Sequence, residues 1–190
     1  MVKVRLYLVR HGKTMFNTIG RAQGWSDTPL TAEGERGIQE LGIGLRESDL
    51  QFERAYSSDS GRTIQTMGII LEELGLQGKI PYRMDKRIRE WCFGSFDGAY
   101  DGDLFMGIIP RIFNVDHVHQ LSYAELAEGL VEVDTAGWAE GWEKLSGRIK
   151  EGFEMIAKEM EDQGGGNALV VSHGMTIGTI VYLINGMHPH

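Results

Sequence analysis

The sequence LYLVRHGKT, residues 6–14, determines how the rest of this chain is interpreted. An apolar run with high strand propensity stops abruptly at Arg10, His11 and Gly12. This predicts a buried β-strand whose carboxyl end carries two basic side chains. In open α/β sheets that edge is where ligands bind, so the stretch predicts a functional site at the start of the chain.

A second strand near the other end of the chain repeats this arrangement. Residues 168–172 are mostly apolar and run into His173 and Gly174, after which an apolar helical pattern begins. A single histidine at a strand end is more often a hydrogen-bonded structural residue than a catalyst. Two such histidines with Arg10, and no matching carboxylates, are harder to explain structurally. The set suits an oxyanion whose phosphorus is attacked by an imidazole nitrogen.

The bulk composition limits the classes of function. The chain has 190 residues, 42% of them hydrophobic, which favours one domain, or one domain with an insertion, around a single core. The net charge of -8 disfavours nucleic acid as a partner and requires any anion site to be a local cluster. With no long apolar segment, we expect a cytoplasmic protein without a membrane partner. The single cysteine, Cys92, is expected to be a small buried hydrophobe.

Between the two histidines, strand and helix patterns alternate. Residues 17–27 predict a polar loop over the strand end, and Thr31 is the predicted N-cap of the next helix. The predicted second and third strands are residues 52–57 and 79–84. Arg62 falls in the first turn of a helix, where a cation opposes the helix dipole and is either solvated or bound to an anion. We favour the anion.

Two of these helices have details that a structure can test. The helix after Thr31 contains glycines 34, 37, 42 and 44, each of which costs about 0.5–1 kcal/mol relative to alanine. We expect close packing against a neighbour to compensate. The helix that carries Arg62 has a predicted apolar stripe that includes Ile64 and Met67.

Glu90 is a lone carboxylate among aromatic residues and glycines in residues 87–98. Desolvation there would raise its pKa, as a general acid requires. Arg87 and Arg89 could equally hold it ionised as a structural partner. The local sequence leaves both interpretations open.

Residues 99–137 interrupt the alternation and predict a helical insertion, in which Ser122 begins a capping box. A long amphipathic helix then runs from Trp138 to Met160, and both Trp138 and Trp142 are expected to be core residues. Within the insertion, a strand at His117 and His119 would place two imidazoles on one face as an alternative metal site, without a third ligand in evidence.

Together these motifs resemble the histidine phosphatase superfamily, which has the phosphoglycerate-mutase-like fold. The matching stretches, in the family's order, are residues 8–14 with Asn17, residues 23–31, residues 56–59 with Arg62 and Thr63, Glu90 with Gly94 and Gly98, and residues 171–174. The resemblance implies one three-layer α/β/α domain over residues 1–190, with a mostly parallel central sheet and a helical insertion at about 99–137.

The resemblance also assigns roles to individual residues and implies no metal or cofactor. His11 is the phosphorylated nucleophile, Arg10, Arg62 and His173 hold the phosphoryl group, and Glu90 is the proton donor. The residues implied in substrate binding are Thr14, Asn17, Gln23, Gly24 and Gly174. The orienting acceptor for His11 is expected to be a backbone carbonyl in the Gly12 turn, and His173 is expected to act mainly as a cation.

The sequence departs from the family in three places. Lys13 stands where acidic or neutral residues are more common, and the insertion lacks the paired arginines that bind a second anionic group in the glycolytic mutases. The family usually continues after the helix at Thr176 with a further strand segment, for which 190 residues leave little room, consistent with a truncated form.

We therefore expect a phosphomonoesterase for a small phosphorylated metabolite, and the sequence does not identify the substrate or the oligomeric state. Alternatives are a bisphosphate-dependent phosphoglycerate mutase and a binding module that does not turn over its phosphate ligand.

Overall fold

The computed structural model describes residues 2–186 and contains a central four-stranded sheet in the order β1-β4-β2-β3. The strands are β1 (Val4–Arg10), β2 (Arg54–Ser57), β3 (Tyr82–Met84) and β4 (Gly166–Ser172). Every neighbouring pair of these strands is parallel. The predicted second and third strands are therefore present, although each begins two or three residues later than expected.

Helices connect the strands and flank the sheet. They are α1 (Met15–Thr18), α2 (Ala32–Glu47), α3 (Gly61–Glu73), α4 (Ile109–Phe113), α5 (Tyr123–Val133), α6 (Trp142–Asp162) and α7 (Gly174–Asn185). A π-helical segment, Asp103–Ile108, precedes α4, and short 3₁₀ helices lie at Lys86–Ile88, Gly94–Phe96 and Val118–Gln120.

The sheet separates two apolar cores, which makes the three layers. On β4, Ala168 and Val170 face a core that includes residues of α5, α6 and α7, whereas Leu169 and Val171 face a core formed with α2 and α3. This alternation follows from the strand geometry, in which successive side chains point to opposite faces. The predicted three-layer α/β/α class is confirmed.

The pairing of β1 with β4 explains why the two ends of the chain meet. Their register places Arg10 opposite Ser172, so that His11 and His173 follow directly on adjacent strand ends. The backbone nitrogen of His11 also donates to the carbonyl oxygen of Ser172 at 3.1 Å. The predicted functional edge is therefore fixed by backbone pairing.

Close packing explains two of the four glycines in α2. A Cβ on Gly34 would lie 2.2 Å from the carbonyl oxygen of Lys13, and one on Gly42 would lie 2.7 Å from Cβ of Glu73. Gly37 and Gly44 have nothing within 4 Å of that position, so packing does not compensate for them. At the start of the helix Thr31 is the N-cap as predicted, and accepts a hydrogen bond from the Gly34 nitrogen.

The prediction for the long helix was wrong at its first residues. The helix begins at Trp142, and Trp138 is 68% exposed and not a core residue. Asp134 accepts hydrogen bonds from the backbone nitrogens of Trp138 and Ala139, which holds this segment in a turn instead of a helix. Ile64, predicted in the apolar stripe of α3, is likewise 36% exposed.

Other expectations concern the insertion, Cys92, a membrane span and the end of the chain. Ser122 forms the predicted capping box with Glu125 at the start of α5, and Cys92 is buried. Among residues 2–186, no helix has the length and apolar character needed to cross a bilayer. Any further strand segment after α7 lies outside the described residues.

Candidate active site

The imidazoles of His11 and His173 face each other at the carboxyl edge of the sheet. Their ring centroids are 5.4 Å apart and their planes are inclined by 63°. Both side chains are buried, His173 completely. One phosphoryl group bound at this edge can therefore be reached from both rings.

His11 has one ring nitrogen fixed by the backbone. Its Nδ1 lies 2.8 Å from the carbonyl oxygen of Gly12, which can only accept, so Nδ1 carries the proton and Nε2 has the free lone pair. This is the acceptor expected in the Gly12 turn. The pKa of His11 is lowered to about 4, mainly by burial, and the charges of Arg62 and Arg10 contribute to this against the raising effect of the Gly12 bond. At neutral pH the ring is therefore unprotonated at Nε2 and nucleophilic.

The hydrogen bonds around His173 are those of a neutral imidazole, whereas from the sequence we expect it to act mainly as a cation toward the phosphoryl group. Its Nδ1 lies 3.0 Å from Nη2 of Arg62, which can only donate, and its Nε2 lies 2.7 Å from Oγ of Ser58. Nδ1 therefore accepts, and Nε2 carries the ring proton. Burial, followed by the charge of Arg62, lowers the pKa of His173 well below its usual value.

Arg62 lies in the first turn of α3, as predicted, and its side chain is fully buried. Nη1 donates to Asp27 Oδ1 at 2.8 Å and to the carbonyl oxygen of Ser26 at 2.9 Å. Nη2 donates to the carbonyl oxygen of Gly24 at 2.8 Å. In the structure this cation therefore holds an anion, as favoured from the sequence, and the anion is the carboxylate of Asp27. Nε of Arg62 has no hydrogen-bond partner among the described residues.

Arg10 borders the site from the end of β1. Its side chain is exposed, unlike that of Arg62. A Cβ placed on Gly174 would lie 3.4 Å from Nε of Arg10, so the arginine passes over the first turn of α7. The charge of Arg10 contributes to lowering the pKa of both His11 and His173. Arg10 is therefore an exposed cation that acts on two buried imidazole rings.

Glu90 is buried against the start of α7. Its Oε1 accepts from the Thr176 nitrogen at 3.0 Å and the Trp91 nitrogen at 3.0 Å, and its Oε2 accepts from the Met175 nitrogen at 3.1 Å. Burial raises the pKa of Glu90 despite these backbone donors, as a proton donor requires.

The competing interpretation of Glu90, as the partner of two neighbouring arginines, is not supported. Arg89 forms a two-pronged pair with Asp59 at 2.6 Å. Arg87 binds Asp85 and Glu151 at 2.7 Å each. Both guanidiniums are therefore engaged elsewhere.

The residues implied in substrate binding mainly build the loop after β1. Oγ1 of Thr14 lies 2.7 Å from the side-chain amide of Gln23, and Thr14 exchanges hydrogen bonds with Asn17 to cap α1. Gly24 is closely packed, since a Cβ there would lie 2.3 Å from the carbonyl oxygen of Trp91. Of this set, Thr14 is fully buried and Asn17 is half-buried, so Asn17 is the better placed to touch a ligand.

Sequence reasoning missed three supporting residues, Asp27, Ser58 and Asp97. Asp97 Oδ1 accepts from the nitrogens of Gly24 and Ser26, which ties the loop after β1 to the Glu90 segment. Asp27 and Ser58 stand inside the family motifs, so their positions were visible. Their partners were not, because each contact joins segments that are distant in sequence.

The strand that would carry the alternative metal site is replaced by a 3₁₀ helix. His119 lies in the 3₁₀ helix Val118–Gln120, and His117 precedes it. In the part of the chain that the structure describes, no three histidine, cysteine or acidic side chains are arranged to hold a metal ion. A pocket of about 620 Å³ lies between Trp25, Trp138 and Lys144, and neither site histidine lines it.

Comparison with known proteins shows similarity along nearly the whole chain. The sequence model described as Histidine phosphatase superfamily (branch 1) matches residues 6–190. A protein of Salmonella choleraesuis named "Probable phosphoglycerate mutase GpmB" is 32% identical over 186 residues, which are 97% of this chain and 76% of that protein.

Solved structures agree with this result. The crystal structure of a phosphoglycerate mutase from Bacillus anthracis is 37% identical, with a TM-score of 0.90 over 97% of this chain and 82% of that chain. An alpha-ribazole phosphatase from Shigella flexneri, 24% identical with a TM-score of 0.68, shares the fold over 97% of this chain and 81% of its own.

Proposed function

This chain belongs to the histidine phosphatase superfamily, branch 1, and on that premise we propose that it is a phosphomonoesterase for a small phosphorylated metabolite. The family and its relatives support phosphatase- or mutase-type phosphotransfer. The finer proposal assigns His11 as the nucleophile and Glu90 as the proton donor. Arg10 and Arg62 bind the phosphoryl oxygens, and His173 joins them when Nδ1, which accepts from Arg62 in the structure, takes up a proton.

The observation that carries this proposal is that His11 keeps Nε2 free for attack while the charges of Arg10 and Arg62 act on its ring. The Gly12 carbonyl fixes Nδ1, so the lone pair of Nε2 lies on the side of the ring away from that bond. The charges of the exposed Arg10 and the buried Arg62 both act on His11, and Nε of Arg62 has no partner among the described residues. An unpaired buried N–H costs free energy, and a phosphate oxygen would satisfy it.

The proposed reaction has two steps. In the first, Nε2 of His11 forms a bond to phosphorus, the bond from phosphorus to the ester oxygen breaks, and Glu90 gives its proton to the leaving alkoxide. In the second, water attacks the phosphorus, Glu90 takes the proton from that water, and the bond from His11 to phosphorus breaks. Phosphate leaves, and the enzyme returns to its initial protonation state.

Charge around the pocket favours a phosphatase over a mutase. A mutase must hold a second anionic group, which requires additional cations. Residues 99–137 contain Arg111 and no lysine, against the acidic residues Asp101, Asp103, Asp116, Glu125, Glu128, Glu132 and Asp134. This field repels a second phosphate or carboxylate, so we infer a substrate whose distal end is neutral or weakly charged.

The insertion is proposed to select the substrate. Its first residues join the loop after β1, because the Ala22 nitrogen donates to the Ala99 carbonyl at 2.8 Å and the Gly98 nitrogen donates to the Ala22 carbonyl at 2.8 Å. Tyr123 of α5 is close enough to Glu90 that, after burial, the charge of Glu90 raises the pKa of the phenol. Both observations support a position of the insertion beside the proposed pocket. No residue of the insertion is assigned a reacting role.

The proposal is tested by two assays on the same enzyme. One measures phosphate release from a panel of phosphorylated metabolites in the presence of a chelator, with acid-labile phosphoprotein measured in parallel. The other measures isomerisation of 3-phosphoglycerate with catalytic 2,3-bisphosphoglycerate. We expect phosphate release from the best monoester to be much faster than isomerisation. Isomerisation of equal or greater rate would assign the protein to the mutases, as the names of its relatives suggest. If neither reaction occurs while phosphate binds, the protein is a binding module.

A further inference from the structure

The Glu90 segment has no regular secondary structure, so its carbonyl groups need partners from elsewhere. Residues 89–93 lie between two 3₁₀ helices and belong to neither a strand nor a helix. Arg148 supplies partners on both sides of the start of this segment: its Nη1 donates to the carbonyl oxygens of Arg87 at 2.8 Å and Arg89 at 3.1 Å. Its Nη2 donates to the carbonyl oxygen of Glu90 at 3.2 Å. One side chain therefore holds two carbonyls of this segment and that of Arg87 just before it, and Thr176 and Trp25 also donate to the carbonyls of Arg89 and Glu90.

Glu140 fixes the guanidinium of Arg148 from the opposite side. Nε of Arg148 donates to both carboxylate oxygens at 3.1 and 2.9 Å, and Nη2 donates to Oε2 at 2.6 Å. The side chain of Arg148 is 13% exposed and that of Glu140 is 2% exposed. Arg148 stands on α6, a helix anchored in the core by the buried Leu145 and Ile149. The pair thus connects a rigid helix to an irregular loop.

We propose that Arg148, oriented by Glu140, is a positioning residue that sets the location of the Glu90 carboxyl group for proton transfer. This inference rests on the proposed function of Glu90 as the general acid. Arg148 does not touch the reacting atoms. It acts through the backbone of residues 87–90, from which the carboxyl group extends.

The position of the carboxyl group depends on distances that a small backbone shift would break. Glu90 accepts from the nitrogens of Trp91, Met175 and Thr176 at 3.0–3.1 Å. Hydrogen bonds weaken steeply beyond these lengths, and a misplacement of about 1 Å can cost roughly 10²-fold in rate. Release of the carbonyls held by Arg148 would therefore move the acid away from both α7 and the leaving group.

Arginine suits this role because its planar fork offers five donors in fixed directions. The five N–H groups serve three carbonyls and one carboxylate, so none is left for water. Lysine offers three donors on a single nitrogen and cannot span the same acceptors. We therefore expect Arg148→Lys to behave like Arg148→Met and not to rescue it.

The first experiment measures leaving-group dependence in the variants Arg148→Met and Glu140→Gln. For an alkyl phosphate we expect kcat/KM to fall roughly 30- to 100-fold in Arg148→Met, and less in Glu140→Gln, because the alcohol needs a proton. For nitrophenyl phosphate we expect a change below about 3-fold, since the phenolate leaves unaided. The matched control is Arg87→Met, which removes an arginine of the same loop that binds Asp85 and Glu151.

The second experiment is amide hydrogen exchange, which does not depend on activity. In Arg148→Met we expect the amides of Trp91, Met175 and Thr176 to exchange about 10-fold faster or more, while Val170 in β4 keeps its protection. Arg87→Met is expected to change none of these amides. If the wild-type protein transfers no phosphoryl group, the proposed function fails, but this measurement still decides whether Arg148 positions Glu90.

Three results would overturn the inference. They are equal losses for both substrates in Arg148→Met, unchanged exchange at the three amides, and loss of the whole fold in Arg148→Met at 25 °C. The third would show that the ion pair supports the scaffold and not the loop.

Discussion

The rings of His11 and His173 lie 5.4 Å apart, centre to centre, although the residues come from opposite ends of the chain. The parallel pairing of β1 with β4 produces this contact, since it aligns Arg10 with Ser172. The two histidines differ in what holds them. A backbone carbonyl orients His11, whereas Arg62 and Ser58 orient His173. This asymmetry gives only His11 an unprotonated Nε2.

We expect His11→Ala to abolish turnover together with the acid-labile, alkali-stable phosphoprotein. The reason is that Nε2 of His11 forms the covalent bond, and alanine offers no nucleophile. The measurement is incorporation of labelled phosphate from a monoester, followed by acid and alkali treatment. His119→Ala is the matched control, because that histidine is exposed in the insertion. A labelled His11→Ala protein would show that another residue is the nucleophile.

We expect Glu90→Gln to slow phosphorylation most for substrates with poor leaving groups. A positioned acid contributes about 10²- to 10⁴-fold when an alcohol leaves, and little when an acidic phenol leaves. Glutamine keeps the size of the side chain, and its one carbonyl oxygen can still accept from the Trp91 and Thr176 nitrogens as Oε1 does. Single-turnover rates with an alkyl phosphate and nitrophenyl phosphate provide the comparison. Equal losses for the two substrates would count against Glu90 as the acid.

The lowered pKa of His11 predicts a loss of stability in weak acid. Burial holds this pKa at about 4 in the native state, below the ordinary value of 6.5. Between these two values the unfolded chain binds a proton that the native state does not, so stability decreases as the pH falls through this window. From pH 7 to pH 5, His11 alone should cost about 2 kcal/mol.

The test for this effect is urea unfolding at pH 7 and pH 5. His11→Asn should lose about 2 kcal/mol less than the wild type between the two pH values. His119→Asn, at an exposed position, should behave like the wild type. A wild-type free energy of unfolding that is equal at both pH values, or higher at pH 5, would contradict the lowered pKa.

The fold and the meeting of the two histidines were predictable from the sequence because their signals are local or repeated. Two apolar strands that each end in His-Gly predict a parallel sheet with both histidines at one edge. By contrast, the partners of Arg62 and Glu90 come from distant segments, and no local pattern pairs Asp27 with Arg62. The start of α6 was misplaced for a similar reason. Trp138 fits the helical spacing, but Asp134 binds its backbone nitrogen and stops the helix.

Asp27→Ala should weaken phosphate binding without removing the nucleophile. Asp27 holds Nη1 of Arg62 at 2.8 Å, and it is the carboxylate partner of that buried guanidinium. Without it, Arg62 loses both a counter-charge and its orientation, and we expect KM and the inhibition constant of inorganic phosphate to rise roughly 10-fold. Asp59→Ala is the control, because Asp59 pairs with Arg89 instead. Unchanged phosphate inhibition in Asp27→Ala would show that Arg62 is held by its backbone partners alone.

Gly24→Ala should damage both stability and activity, whereas Gly37→Ala should improve stability. A Cβ on Gly24 would lie 2.3 Å from the carbonyl oxygen of Trp91, so the loop after β1 and the Glu90 segment must separate. We expect a loss of roughly 1–3 kcal/mol from this overpacking. The Gly24 carbonyl also holds Arg62, so kcat should fall as well.

Gly37 lies inside α2 and has nothing within 4 Å of its Cβ position, so alanine there should add about 0.5–1 kcal/mol at unchanged activity. Chemical unfolding and phosphatase assays on both variants make the comparison. If Gly24→Ala retained the stability and activity of the wild type, the contact between Gly24 and Trp91 would not constrain the active site. The close approach of the two segments would then not be the reason that a glycine occupies position 24.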